Sequence, residues 1–231
     1  MLALDSGLSG PSLLRRLNAI SPELFFTAAT PAPAGFRVRH AARRTYRYFE
    51  PRPVDHASAV ERAAALFRGR VDVRSFGRGV PARTPQWRDL ESVTVNRWGS
   101  GHLIEVRAPS FVWGMVRKIV GSLREVDQGR LSTQRLEAAI SGAERLTLPM
   151  AEPEGLVLWE VEYPLEWETV WTGPNRHQLA FGGNLGSALW TRAQVLSALF
   201  EAGDAGGHAG LSRGPVSPSI RPGPPNPGPE R

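Results

Sequence analysis

The chain contains no cysteine, and Lys118 is the one lysine among its 28 basic residues. Without thiols there are no disulfides and no thiolate metal sites. Five scattered histidines do not make a His-rich metal centre, so no metal is expected. No window reaches the roughly 18 consecutive apolar residues that cross a bilayer, and the start lacks the basic head and long apolar stretch of a secretory signal. A cytoplasmic protein with no membrane partner is therefore expected. What the chain does have is length, 231 residues, enough for one large or two small domains with a real core.

It also has charge of one kind. The formal net charge is +6, which suits a polyanionic partner, and position says more than the total. Residues 36–50, FRVRHAARRTYRYFE, carry Arg37, Arg39, Arg43, Arg44 and Arg47 against one acid, interleaved with Phe36, Tyr46, Tyr48 and Phe49. Such a stretch can hold a nucleic-acid backbone while its rings stack on unpaired bases. It equally fits an edge strand with solvated arginines and cross-strand aromatic packing.

The order of elements predicts a fold. PSLLRRLNAI (11–20) reads as a short helix and LFFTAAT (24–30) as a strand. RTYRYF (44–49) alternates as a strand, and Asp55 stands where it could cap a helix that Gly69 ends. VRSF (73–76) reads as a short extra strand, followed by a Gly/Pro loop to about 89. LESVTVNRW (90–98) and HLIEVRAP (102–109), joined by Gly99-Ser100-Gly101, form a predicted hairpin. A helix capped by Ser110 follows, then an extra helix after Ser132. LVLWEVEY (156–163) closes the set, with Val157, Trp159, Val161 and Tyr163 on one face and Leu156, Leu158, Glu160 and Glu162 on the other. This β-α-β-β-α-β order is that of an α+β ferredoxin-like or RNA-recognition-type sandwich with an antiparallel sheet. SALWTRAQVLSALFEAG (187–203) reads as one helix, and the Gly/Pro/Ser-rich residues 204–231 are expected to be disordered.

SFVWGMVRKIVG (110–121) raises the sharpest chemical question, because two cations interrupt an apolar run. As a helix it places Val112, Met115, Val116, Ile119 and Leu123 on one stripe, with Lys118 off one side and Arg117 near the other edge. Gly114 and Gly121 flank Arg117 on its own face. One reading is a guanidinium that snorkels to water. The other uses the two glycines, which let a backbone or ligand approach closely and hold Arg117 beside a carboxylate or phosphate.

Several stretches then fall together in one order: LN (17–18), FRVR (36–39), ARRTYRY (42–48), AAALFRGRVDVRSF (63–76), ARTPQWR (82–88), the SFVWGMVRKIVGSL run and EGLVLWEVEY (154–163). Over about residues 1–165 the chain resembles the tRNA pseudouridine synthase A family. The resemblance implies a cofactor-free isomerase acting on uridines in or near the tRNA anticodon stem-loop. An aspartate attacks the target nucleotide, and the uracil detaches, turns and rejoins the ribose through carbon. By motif, Tyr46 is the ring expected on the target base, Leu156 lines the pocket, and Arg117 partners the nucleophilic aspartate. Arg39, Arg43, Arg44 and Lys118 are the implied phosphate-side contacts. Tyr46, Arg117 and Leu156 should thus approach a common cleft, and a homodimer is usual for the family.

One departure stands out. The family motif R-T-D-x-G-V-H-A has no counterpart here. Asp5 in MLALDSGLSG is an imperfect echo, too close to Asn18 to fit the family's spacing. The nucleophilic aspartate is therefore expected upstream of Met1. The expectation is a chain that starts inside an N-terminal domain, lacks its nucleophile and is inactive as written. The alternatives are a non-catalytic RNA-binding domain derived from the same family and a purely structural domain on the same sandwich. The expected organisation is a remnant of an N-terminal domain (1–35), an α+β catalytic and RNA-binding domain (36–168), a helical extension (169–203) and a disordered tail (204–231).

Overall fold

The computed structural model describes residues 7–20, 23–80, 86–99 and 101–169, with positions 179–181, 183, 184 and 189 beyond them. The chain divides into two compact units, one of residues 1–10 and 28–169, the other of 11–27 and 170–231. In the second unit, α1 (Gly10–Ile20) runs through the predicted helix. Its Asn18 side chain clasps Phe26 twice: Nδ2 donates to the Phe26 carbonyl and Oδ1 accepts from the Phe26 amide, both at 2.8 Å.

The first unit holds the sandwich. Its strands and helices are β1 (Ala28–Ala29), β2 (Arg43–Glu50), α2 (Ala57–Ala65), β3 (Gly69–Asp72), β4 (Trp87–Leu90), β5 (Ser92–Trp98), β6 (Gly101–Ala108), α3 (Met115–Asp127), α4 (Thr133–Ile140), β7 (Leu156–Glu162) and β8 (Glu168–Thr169). β5, β6, β2 and β7 lie in that order in one antiparallel sheet. Counted along the chain from β2, these are the second, third, first and fourth strands, which is the ferredoxin-like arrangement. β3 pairs with β4, and β1 with β8, as small separate ribbons.

One face of the sheet is covered by helices. Tyr48, Ile104 and Val106 meet Val60, Ala63 and Ala64 of α2 and Met115, Ile119, Val120 and Leu123 of α3, all buried in one core with Leu136 of α4. The apolar spacing of α3 is what buries it. Each fully buried Ile or Leu there contributes about 1.5–3 kcal/mol. Phe67 and Phe76 pack edge to face at 5.1 Å beneath α2. α4 begins after Ser132 as expected, and Ser132 caps it, its hydroxyl accepting from the Arg135 amide at 3.3 Å.

Several local expectations are corrected. VRSF (73–76) is a turn, closed by the Phe76 amide on the Val73 carbonyl at 3.1 Å. The extra strand is Gly69–Asp72 instead, and Gly69, at φ 100°, opens it rather than ending α2. Asp55 does not cap α2: His56 occupies that position and its amide donates to Asp127 Oδ1 at 2.8 Å. The predicted strand at 24–30 shortens to two residues, and 90–98 is broken at Glu91 where the chain leaves β3 for β6. Ser110 does not begin α3. The preceding residue is Gly114 at φ 75°, a left-handed conformation that separates SFVW from the helix. The strict alternation read for 156–163 also fails. A bulge at Thr45/Tyr46 leaves Trp159 without a partner, so Leu156 and Leu158 face Tyr48 and Tyr46 while Glu160 and Glu162 face Thr45 and Arg43. Met1, from which the expected nucleophile was placed upstream, lies outside the described residues, as do Asp5, the tail expected to be disordered and most of the 187–203 helix.

Candidate active site

The 149–151 segment lies close against α3 because glycine lets it. A Cβ at Gly121 would collide with the carbonyl of Pro149. Glycine inside a helix costs about 1 kcal/mol relative to alanine, and here that cost admits the 149–151 backbone. Arg117 secures the same segment from the other side of its peptide group. Its Nε donates to the Ala151 carbonyl at 2.6 Å, and the Ala151 amide returns a bond to the Arg117 carbonyl at 3.0 Å. Of the two readings of the SFVWGMVRKIVG run, close approach by another backbone is thus the one realised at Gly121.

This clamp orients a guanidinium and leaves most of it unused. Arg117 is half-buried, and among the described residues it forms no ion pair and no hydrogen bond through its terminal nitrogens. The held segment runs through a 3-10 turn, Pro153–Gly155, directly into Leu156. Gly155 is tight against the Phe49 carbonyl and the Tyr48 ring, where a Cβ would come within 2.6 and 2.9 Å.

Leu156 and Tyr46 occupy the same face of neighbouring strands, opposite Tyr48 and Leu158 respectively. Both are partly buried at the margin of the core. Phe111 meets the Tyr46 ring edge-on, with centroids 5.1 Å apart and planes at 85°. An edge-on partner holds a ring without covering its face. Periodicity missed Phe111 and Leu158 as neighbours of Tyr46: the first sits in a loop read as helix, the second depends on the bulge.

The remaining predicted site residues have other partners. Arg43 is ion-paired with Glu91 at 2.5 Å and Glu162 at 2.7 Å. Arg44 donates to the carbonyls of Pro109 at 2.8 Å and Arg39 at 2.5 Å. The Arg39 side chain is exposed. The Lys118 ammonium donates to the Ser75 and Gly77 carbonyls at 3.2 and 3.3 Å. Burial, with the nearby charge of Arg145, pushes its pKa below the usual lysine range. No three His, Asp or Glu side chains cluster as a metal site among the described residues, nor is any described helix long and apolar enough to cross a membrane.

The fold is thus an antiparallel α+β sandwich that carries Tyr46 and Leu156 on neighbouring strands and Arg117 on α3. A family model described as tRNA pseudouridine synthase matches residues 63–164. The tRNA pseudouridine synthase A of Thermococcus kodakarensis is 38% identical over 149 residues, covering 64% of this chain and 55% of that protein. That of Methanoculleus marisnigri is 34% identical over 169 residues, covering 71% and 61%. The Klebsiella pneumoniae protein of the same name is 34% identical over 156 residues, covering 59% and 57%. Over this matched stretch the chain is similar to the tRNA pseudouridine synthases, a family of isomerases. It spans 55–61% of the length of these three relatives.

Proposed function

We propose that this chain supplies the uracil pocket of a tRNA pseudouridine synthase acting in or near the anticodon stem-loop, in the cytoplasm. Tyr46 presents its ring to a uracil drawn out of the stack, and Leu156 closes the pocket with an apolar wall. Arg117 faces the nucleophilic aspartate of the reaction. A guanidinium stays protonated at every physiological pH and offers no lone pair, so it orients and ionises a carboxylate but cannot replace one. The observation that carries this reading is the Arg117 geometry: Nε fixed on Ala151 at 2.6 Å, terminal nitrogens uncommitted, no carboxylate partner among the described residues. A purely snorkelling arginine has no need of that clamp.

The partner is tRNA, and a homodimer goes with the reading. Val157 and Trp159 on one outer strand of the sheet and Trp98 on the other are 40–53% exposed, apolar surface available to a partner copy. Sedimentation of the chain tests that part.

The catalytic reading is tested with a chimera whose front half comes from the Thermococcus kodakarensis relative. Single-turnover conversion of uridine in an anticodon stem-loop should appear in the chimera and be absent from the 231-residue chain. Activity in the chain alone that disappears with Asp5→Ala would make Asp5 the nucleophile and overturn this assignment. An inactive, folded chimera that binds the RNA would favour the non-catalytic RNA-binding alternative.

A further inference from the structure

Three segments meet at the turn that follows β3. The Ser75 hydroxyl accepts from the Leu146 amide at 2.9 Å, Lys118 donates to the Ser75 and Gly77 carbonyls, and the Arg78 amide donates to the Trp113 carbonyl at 2.9 Å. Gly77 and Gly114 make the approach close: a Cβ on Gly77 would come within 2.8 Å of Val112, and one on Gly114 within 2.7 Å of Met150. The outcome is a rigid shelf that brings Arg78, Trp113 and Lys118 together, with Arg145 close enough that its charge is felt at Lys118.

Trp113 is unusual on this shelf. It is 67% exposed, the most exposed described tryptophan, in a loop whose backbone is fixed. The Arg78 guanidinium lies over its ring, 4.3 Å from the centroid. Arg47 over Trp159, at 3.9 Å, and Arg70 over Trp87, at 4.5 Å, are similar stacks. They differ in charge balance. Arg47 is paired to Glu105 at 2.8 Å, and Arg70 stands opposite Asp89 in the β3–β4 ribbon. Arg78 and Arg145 are exposed and form no ion pair among the described residues. A large ring held flat by a cation on one face, with the other open and positive charge around it, has the properties of a base-stacking platform.

We infer that Trp113 and Arg78 form a second RNA-binding site, in which an unpaired nucleobase stacks on the indole while Arg78 and Arg145 hold the neighbouring phosphates. This rests on the RNA-binding reading above and adds a contact outside the uracil pocket. The site is specific in a checkable way, since stacking depends on an aromatic ring and phosphate binding on charge.

The test is anisotropy of a labelled anticodon stem-loop RNA with the 231-residue chain across a salt series, with heparin as the base-free polyanion. Trp113→Leu should weaken RNA binding about five- to tenfold, leave heparin binding unchanged, and be restored by Trp113→Phe. Arg78→Gln should weaken both ligands and lower the salt slope for RNA by about one. Thermal midpoints should stay at the parent value, because both side chains are exposed. RNA binding by Trp113→Leu and Arg78→Gln equal to the parent's would overturn the inference while leaving the synthase reading intact. Equal losses for RNA and heparin with Trp113→Leu would also overturn it, since no base would then be stacked. If the parent chain binds no RNA, the reading beneath it fails and the platform with it.

Discussion

The strand β2 and the flank formed by α3 with the turn after β3 are both arginine-rich, yet they use the charge differently. On the sheet, Arg43, Arg47 and Arg107 are all paired with Glu91, Glu105 or Glu162 at 2.5–3.5 Å. On the flank, Arg78, Arg117, Lys118 and Arg145 have no carboxylate among the described residues. A run of arginines in sequence is therefore not a map of binding charge. A phosphate reaching Arg43 has to compete with two carboxylates, while one reaching Arg78 meets an uncompensated cation. Cations without a carboxylate therefore stand at Arg78, Arg117, Lys118 and Arg145 on the flank, and on β2 at Arg44, which bonds only carbonyls.

The largest effect should come from the flank. In the chimera with the Thermococcus front half, Arg117→Met should lower the single-turnover rate by about 10²–10³, with RNA affinity nearly unchanged. Losing the Ala151 clamp complicates that variant, so Arg117→Lys is the control: it keeps a cation without the planar fork and should recover only part of the rate. Full activity in both would remove Arg117 from the site. Next in size is a direct contrast of the two regions. Arg78→Glu with Arg145→Glu should weaken RNA binding about 10- to 100-fold at low salt while leaving thermal stability in place. Arg43→Glu with Arg107→Glu should do the reverse, costing about 1–2 kcal/mol of stability by crowding Glu91 and Glu162, with a much smaller loss of affinity once folded. If the strand pair proves to be the one that carries RNA affinity, the comparison is mistaken.

Much of the fold was legible, because it depends on local pattern. The alternation in RTYRYF, the Gly-Ser-Gly hairpin signal and the apolar spacing of α3 each specify their element within a few residues. What could not be read depends on distant partners. Arg43 is neutralised by Glu162, 119 positions away. The Trp159 bulge exists only in the pairing of β2 with β7, yet it reverses which residues of the last strand share a face. Ser110 looked like a helix cap, but the left-handed Gly114 four residues on decides where the helix can begin. The candidate site residues Tyr46, Leu156 and Arg117 were named from motif resemblance. Their neighbours Phe111, Leu158 and Ala151 came only with tertiary structure.

A smaller effect should appear in acid, on the compensated side of the molecule. Glu152 is held at a pKa of about 2, below the ordinary 4.5, by its own backbone amide and then by Arg124. For Glu50, burial pushes upward, but the bonds from Arg52 and Arg124 outweigh it and the net shift is downward. Carboxylates with depressed folded pKa values contribute stability that is present above the unfolded value and lost as pH falls through the folded one. The thermal midpoint should accordingly drop between about pH 4.5 and about pH 2. Arg124→Gln should flatten that decline by taking away the shared cation of Glu50, Glu152 and the Tyr48 hydroxyl. An identical acid profile in the variant would show that the network is not what the protons break. No comparable acid response is expected around Arg78, Arg117 and Arg145, with which no described carboxylate pairs.

The smallest effect tests whether compensation, rather than position, keeps the sheet arginines out of binding. Glu105→Gln removes the partner of Arg47 while leaving its stack on Trp159 in place. A half-exposed ion pair of this kind contributes about 0–1 kcal/mol, so stability should barely move. The freed guanidinium, lying on an exposed tryptophan, then acquires the same chemistry as Arg78 on Trp113. RNA affinity should rise about two- to threefold at low salt, and the gain should fade as salt approaches physiological strength, because one added cation displaces about one more counterion. Combining Glu105→Gln with Arg47→Gln should abolish the gain. If releasing Arg47 leaves RNA affinity unchanged at low salt, charge pairing is not what separates the two regions, and the difference must lie in which surface the RNA can reach.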